Sequence, residues 1–260
     1  MIEIKNLKKT LNNKLVLKDV NLFIPEKHTM VIVGRSGSGK SVLLKHLIGI
    51  HKPDSGTILV RGVDITKVDR LDFFKKNIKV AVLFQNSALF DSMNIGDNVG
   101  FYLERYSTLT EAERAKVVAE KLDMVGLKGV EKLMPFELSG GMQKRAALAR
   151  SLVIEPDIML YDEPTTGLDP ITAEDINKLI VELQHNLNIT SIVVTHDMFS
   201  AYHVGDRIAM LNEGVIIENT PVEEFHLSSN SLVQKFIKNY NLPLSRQLEK
   251  KGQGANYEPI

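Results

Sequence analysis

Gly34, Gly39, Lys40 and Ser41 stand at the spacing G-x-x-x-x-G-K-[ST], inside the run V-I-V-G-R-S-G-S-G-K-S from Val31 to Ser41. Those residue types in that order suit one task, holding the phosphates of a nucleotide. Glycines at 34, 37 and 39 permit positive φ and let backbone N–H groups approach phosphate oxygens. A helix opening near Lys40 turns the positive end of its dipole the same way. The Lys40 ammonium would reach the β and γ phosphates, and the Ser41 hydroxyl would ligate Mg2+. Arg35, Ser36 and Ser38 within the loop, and Val42 just after it, complete the expected contact set. The competing reading is a glycine-containing turn that fits the pattern by chance, and the flanks argue against it. An apolar strand at Met30 to Val33 leads in, and Val42, Leu43, Leu44, Leu47 and Ile48 follow at helical spacing before Gly49 and Pro53.

A second group of reactive residues ends two further apolar runs. Ile158 to Tyr161 leads into Asp162, Glu163 and Pro164, and Ser191 to Thr195 leads into His196 and Asp197. A strand end beside a phosphate loop is where Asp162 can hold Mg2+ while Glu163 polarises an attacking water. Without the upstream loop the pair would read as an acidic turn before a proline. Of seven histidines, His196 alone ends a core strand, where it could contact a γ phosphate; the other six read as surface or packing residues. Ser139 is a plausible N-cap for an Ala- and Leu-rich helix, and Gly140-Gly141 would let another group approach its start closely.

The elements that must position these residues follow from patterning. Residues 2 to 25 read as two strands about Asn12-Asn13, and Thr57 to Val60 as another, suggesting a small antiparallel sheet. Lys79 to Phe84 reads as a buried strand ending in Gln85. Residues 90 to 150 read as a mostly helical insertion, with the charged stretch Glu111 to Lys121 as the solvated face of an amphipathic helix. A hairpin is expected at 207 to 219 and a helical region at 223 to 240. The tail, 241–260, carries little apolar content and reads as flexible.

Composition sets the outer bounds. The 260 residues carry 32 basic and 32 acidic side chains, so no global charge draws the chain to nucleic acid. The absence of cysteine excludes disulfides and thiolate metal sites and suits a reducing cytosol. The N-terminal residues lack the apolar core of a signal peptide, and no apolar run approaches the length of a membrane span.

Five elements in fixed order, Gly34 to Ser41, Gln85, Leu138 to Met142, Ile158 to Glu163 and His196, together resemble the ATP-binding subunit of an ABC transporter. The likeness covers about residues 2 to 240. It implies an α/β fold, a P-loop NTPase core with a flanking antiparallel β subdomain and an inserted helical subdomain, in one domain over 1–240. It also implies ATP and Mg2+ as ligands and head-to-tail pairing of two copies. Each ATP would be held between Lys40 and Ser41 of one copy and Ser139, Gly140 and Gly141 of the other, with Asp169 at the seam. Glu163 would act as base, Gln85 and Asp162 would surround Mg2+, and His196 would touch the γ phosphate. A separate membrane permease would be the partner, at the inner face of the membrane, and no nucleic acid is implied. Ala88 to Met93 and Ser139 to Arg145 most resemble ATPases of MCE-type phospholipid transport systems, which implies an MCE-domain protein as a further partner. The family stacks adenine on an aromatic residue in the first hairpin. Here the equivalent is Leu11, and Leu11 with Val16 is the expected apolar shelf. The alternatives are transport of another small solute, or a soluble ATPase of the same family acting on ribosomes or DNA.

Overall fold

The computed structural model describes residues 1–69 and 72–239, so the tail expected to be flexible, 241–260, lies outside the described residues. The chain opens with β1 (Ile2–Leu11) and β2 (Lys14–Ile24), joined through Asn12 and Asn13. Both asparagines have positive φ, 48° and 60°, as a two-residue hairpin turn requires. Then come β3 (Thr29–Val33), α1 (Lys40–Leu47), β4 (Ser55–Val60) and β5 (Val63–Asp64). β6 (Val80–Leu83) precedes α2 (Ile95–Tyr106), α3 (Glu111–Met124) and α4 (Gly140–Leu152). The remainder is β7 (Ile158–Asp162), α5 (Pro170–Leu187), β8 (Thr190–Thr195), α6 (Met198–Val204), β9 (Arg207–Asn212), β10 (Val215–Pro221) and α7 (Ser231–Lys238).

The strands form two sheets. One is antiparallel, in the order β2-β1-β4-β5; the other runs β10-β9-β3-β8-β7-β6, parallel throughout except for the β9–β10 hairpin at its edge. All five residues of β3 are buried because the sheet is covered on both faces. Alternation divides them: Val31 and Val33 join the core beneath α4, α5 and α6, whereas Met30 and Ile32 join the core that α1 and the antiparallel sheet share. On α1, Leu43, Leu44 and Leu47 supply the buried face, each worth about 1.5–3 kcal/mol when fully covered.

The insertion between β6 and β7 is helical, as the patterning suggests. Asn94 caps α2, and Thr110 with Glu113 forms a capping box on α3, so each helix start is written locally. α4 packs on α2 and α3 and also on β6 and α5, and so links the helical lobe to the sheet.

Three features differ from the sequence expectations. The longest helix, α5, follows Pro170 at its first turn, and neither it nor α6 was anticipated beyond its N-terminal residues. The helical region at 223 to 240 is narrower, a single 3-10 turn at Phe225–Leu227 and then α7. The hairpin is longer, because Glu213 and Gly214 at φ 44° and 82° make a turn tight enough for β10 to pair as far as Pro221.

That hairpin also fixes the antiparallel sheet to the core. Lys18 N donates to Gly214 O at 2.8 Å, and a Cβ on Gly214 would lie 2.3 Å from Val16 O. Only glycine allows this approach, which brings Val16 over the loop after β3. Among the described residues no helix is long and apolar enough to cross a membrane.

Candidate functional site

In-register parallel strands bring the reactive residues to one edge. Val33 on β3 lies beside Thr195 on β8, Val194 beside Asp162 on β7, and Tyr161 beside Leu83 on β6. The residues just after these positions therefore emerge together at the carboxyl ends of the strands, where open α/β sheets bind ligands. A cleft of about 1240 Å³ opens there, lined by Arg35, Ser36, Gly37, Gly39, Lys40, Ser41, Val42, Gln85, Glu163 and His196.

The loop after β3 fits a polyphosphate. A Cβ on Gly34 would stand 2.3 Å from Leu211 O and 2.9 Å from Ser38 Oγ, so any side chain would fill the cradle. Gly39, at φ 107°, takes the N-cap position of α1 without a side-chain cap, leaving the helix's first N–H groups for a ligand. The Ser38 hydroxyl is buried and has no hydrogen-bond partner, an acceptor-seeking group inside the same loop. Lys40 is only 7 % exposed; its Nζ donates to Gly34 O at 2.8 Å and Arg35 O at 3.2 Å, and lies 4.0 Å from Glu163 Oε1. Burial lowers its pKa below the ordinary lysine range, and the neighbouring Glu163 and Asp162 carboxylates offset this in part.

Glu163 is held by one oxygen. Its Oε2 accepts from His196 Nδ1 at 2.8 Å, Thr195 Oγ1 at 3.3 Å, Thr166 Oγ1 at 3.3 Å and the His196 backbone N–H at 3.4 Å. Oε1 is thereby turned toward Lys40 and the cleft. The backbone of Glu163 takes φ 50°, a conformation uncommon outside glycine and held here by the Glu163 N–H to Val194 O bond of 2.8 Å. Ser41 Oγ donates to Asp162 Oδ1 at 3.1 Å, and burial raises the Asp162 pKa, with Glu163 adding to the rise and Ser41 opposing it.

Ser41, Asp162 and Gln85 offer a hydroxyl, a carboxylate and an amide oxygen, the hard donors Mg2+ takes. Among the described residues no three or more His, Cys, Asp or Glu gather as a metal cage. One carboxylate with supporting oxygens suits a cation that also binds substrate phosphates. These residues would hold Mg2+, which would supply charge neutralisation at the β and γ phosphates.

Other expected site residues lie elsewhere. Ser139, Gly140, Gly141 and Asp169 do not line the cleft. They form a second unit in which two helix starts meet. Ser139 Oγ accepts from Met142 N at 3.3 Å, and Asp169 accepts from Ile171 N, Thr172 N and Thr172 Oγ1 at 3.1, 3.0 and 2.6 Å. A Cβ on Gly141 would lie 2.4 Å from Thr172 Cγ2, so glycine there lets the α4 start rest on α5. Val16 lines the cleft, while Leu11 does not.

The cleft has one wall that sequence reasoning missed. Leu232, Lys235, Phe236 and Asn239, on and just after α7, face it with Asn212 and Glu213. Nothing in the α7 sequence marks this; the helix reaches the cleft because Val233, Phe236 and Ile237 pack into the core around β3.

A sequence profile described as ABC transporter matches residues 17–166. The probable ribonucleotide transport ATP-binding protein mkl of Mycobacterium leprae is 41 % identical over 236 residues, 91 % of this chain and 68 % of that protein. An Fe(3+) ions import ATP-binding protein FbpC from Mannheimia succiniciproducens is 38 % identical, covering 88 % of this chain and 64 % of its own length. The intermembrane phospholipid transport system ATP-binding protein MlaF of Haemophilus influenzae is 37 % identical, covering 92 % of this chain and 90 % of its own length. This chain thus spans about two thirds of the first two relatives. Among solved structures, a dimeric ATP-binding cassette in a post-hydrolysis state with ADP and Pi matches with a TM-score of 0.77 at 33 % identity, over 85 % of this chain and 99 % of that one. The nucleotide cleft at the sheet edge, the paired helix starts and these likenesses agree: the chain belongs to the ABC transporter family, as an ATP-binding cassette that hydrolyses ATP.

Proposed function

We propose that this cassette works as a head-to-tail pair that energises a separate membrane permease for phospholipid. The observation that carries the pairing is the separation of Ser139, Gly140 and Gly141 from the cleft of their own chain. The α4 start leaves Ser139 and Gly140 exposed, and the first N–H groups of a helix favour an anion. A second copy would bring its own ATP there, adding stabilisation of the γ phosphate that one chain lacks. Asp169, bonded across the adjacent helix start, would stand at the seam.

Within the closed pair each residue has one task. Glu163 Oε1 takes the proton from the attacking water, because Oε2 is already engaged by four donors. Lys40 neutralises charge on the β and γ phosphates. Gln85 and Asp162 with Ser41 hold the place of Mg2+. His196, whose Nδ1 lies 2.8 Å from Glu163 Oε2, would contact the γ phosphate.

Adenine would lie toward Val16, which lines the cleft, and less toward Leu11, which does not. Val16→Asp is expected to weaken ATP binding about tenfold, with Leu11→Asp within about twofold of native. Equilibrium binding of ATP and GTP checks this, and indifference to both substitutions sinks the apolar shelf.

Phospholipid as cargo is supported by the likeness of Ala88 to Met93 and Ser139 to Arg145 to lipid-system ATPases and by the relative named for intermembrane phospholipid transport. Another solute is the second reading, favoured by relatives named for ribonucleotide and Fe(3+) transport. The cassette would work at the inner face of the membrane, with an MCE-domain protein as a further partner. Affinity purification from native membranes in mild detergent decides between them. A polytopic subunit, an MCE-domain protein and co-purified phospholipid are expected; a polytopic subunit with a different solute-binding protein discards the lipid, and ribosomal or DNA-bound partners alone overturn transport.

A further inference from the structure

A buried cation lies behind the cleft with no role in the chemistry above. Lys144 on α4 is 4 % exposed, and its Nζ donates to the backbone oxygen of Gln85. Two further carbonyls of the same loop are held from the same helix, Ala88 O by Arg150 Nη1 at 2.8 Å and Ser87 O by Arg150 Nη2 at 3.1 Å. The loop needs holding. Ser87 and Ala88 have φ of 58° and 51°, both left-handed and neither glycine. Asn98 on α2, fully buried, fixes the loop's far end by accepting from Phe90 N and donating to Phe90 O, Met93 O and Asn94 O.

Burying an ammonium costs several kcal/mol, and a methionine would fill the same space without that penalty. Packing therefore gives no reason for a charge at 144. The hydrogen bond to the loop does. One turn before it on the same helix are Gly140 and Gly141.

We propose that Lys144 is a positioning residue for ATP hydrolysis, tying the Gln85 backbone to α4 so that the helix start offered to a second copy and the Gln85 side chain in the cleft move as one. This rests on the paired-cassette reading above. Arrival of the partner's nucleotide at Gly140 and Gly141 displaces α4, and Lys144 converts the displacement into a placement of Gln85 within its own cleft. A chain without this bond still binds ATP through Lys40 and Ser41, but aligns Gln85 poorly.

The test uses the full chain as Lys144→Met, Lys144→Gln and Lys144→Arg, with ATP turnover, equilibrium ATP binding, melting temperature and amide exchange over 85–90. Lys144→Met is expected to lower kcat about tenfold or more with the Kd for ATP within about threefold, and to speed exchange at Ser87 and Ala88 about tenfold. Lys144→Arg, which keeps a charged donor, is expected to restore most of both; Lys144→Gln, which keeps a neutral donor, serves if the methionine variant does not fold, and is expected to fall between. Native kcat in Lys144→Met or Lys144→Gln overturns the proposal, whether or not the loop exchanges faster. A kcat loss that Lys144→Arg does not relieve, tracking melting temperature instead, also overturns it. The paired-cassette reading fails differently: a native chain that neither hydrolyses ATP nor dimerises with it refutes that reading before any variant is compared.

Discussion

Glu163→Gln is expected to cut ATP turnover by about a hundredfold or more, leave ATP binding within about twofold, and accumulate a nucleotide-bound dimer. Glutamine has the same shape, and its amide oxygen can keep the bonds that Oε2 accepts from His196, Thr195 and Thr166. Its nitrogen would then stand where Oε1 now faces Lys40, 4.0 Å away. An amide nitrogen has no basic lone pair, so the water loses its proton acceptor while the cleft keeps its walls. Removing the carboxylate also frees Lys40 of one competitor for its charge, which favours phosphate. Steady-state turnover, equilibrium ATP binding and sedimentation with ATP make the three measurements. Turnover near the native rate removes Glu163 from the base role.

Lys40→Met is expected to act on function and stability in opposite directions. ATP affinity falls by about a hundredfold or more, since the buried Lys40 ammonium lines the cleft where the phosphates would lie. The ligand-free protein, in contrast, melts no lower than native. The sign follows from its lowered pKa. Lys40 is harder to protonate in the folded chain than in the unfolded chain, so at pH below both pKa values folding carries the full cost of burying the ion. As pH rises through the lowered value the cost is relieved, and methionine removes it at every pH. Gly34 O and Arg35 O lose a donor, but Arg35 is exposed and water can replace part of that bond. Thermal melts without nucleotide from neutral to alkaline pH, beside ATP titrations, check both arms. A ligand-free melt several degrees lower would show that Lys40 braces the loop.

These two residues were legible because their chemistry is written in consecutive letters. Gly34 to Ser41 and Asp162-Glu163 each follow an apolar run, and spacing alone puts them at strand ends. Ser139 as a cap was readable for the same reason, since the bond it makes is three residues long. Lys144 and Arg150 were not. In sequence they are basic residues on an Ala- and Leu-rich helix, and their partners, the carbonyls of Gln85, Ser87 and Ala88, lie some sixty residues earlier. The α7 wall of the cleft was hidden likewise, because only the strand order brings the end of the described chain beside β3. Leu11 shows the limit of spacing in the other direction. It occupies the expected hairpin position without lining the cleft, whereas Val16, across the turn, does line it. The helix α5 carries a plain helical pattern in Ile176, Leu179, Ile180 and Leu183, so its existence was readable from spacing.

The place of β3 in the large sheet has a consequence for synthesis. Its two neighbours are β8 and β9, so the strand that leads into the phosphate loop has no partner in its sheet until the ribosome has made Thr190 to Asn212. At about 5–20 residues per second, roughly eight to thirty seconds pass between the emergence of Val33 and that of β8. For that interval T-M-V-I-V is an apolar segment without its sheet partners, the kind of segment that aggregates or recruits chaperones. The nucleotide cleft is therefore among the last parts of the described chain to close, although its defining loop is made long before β8 and β9.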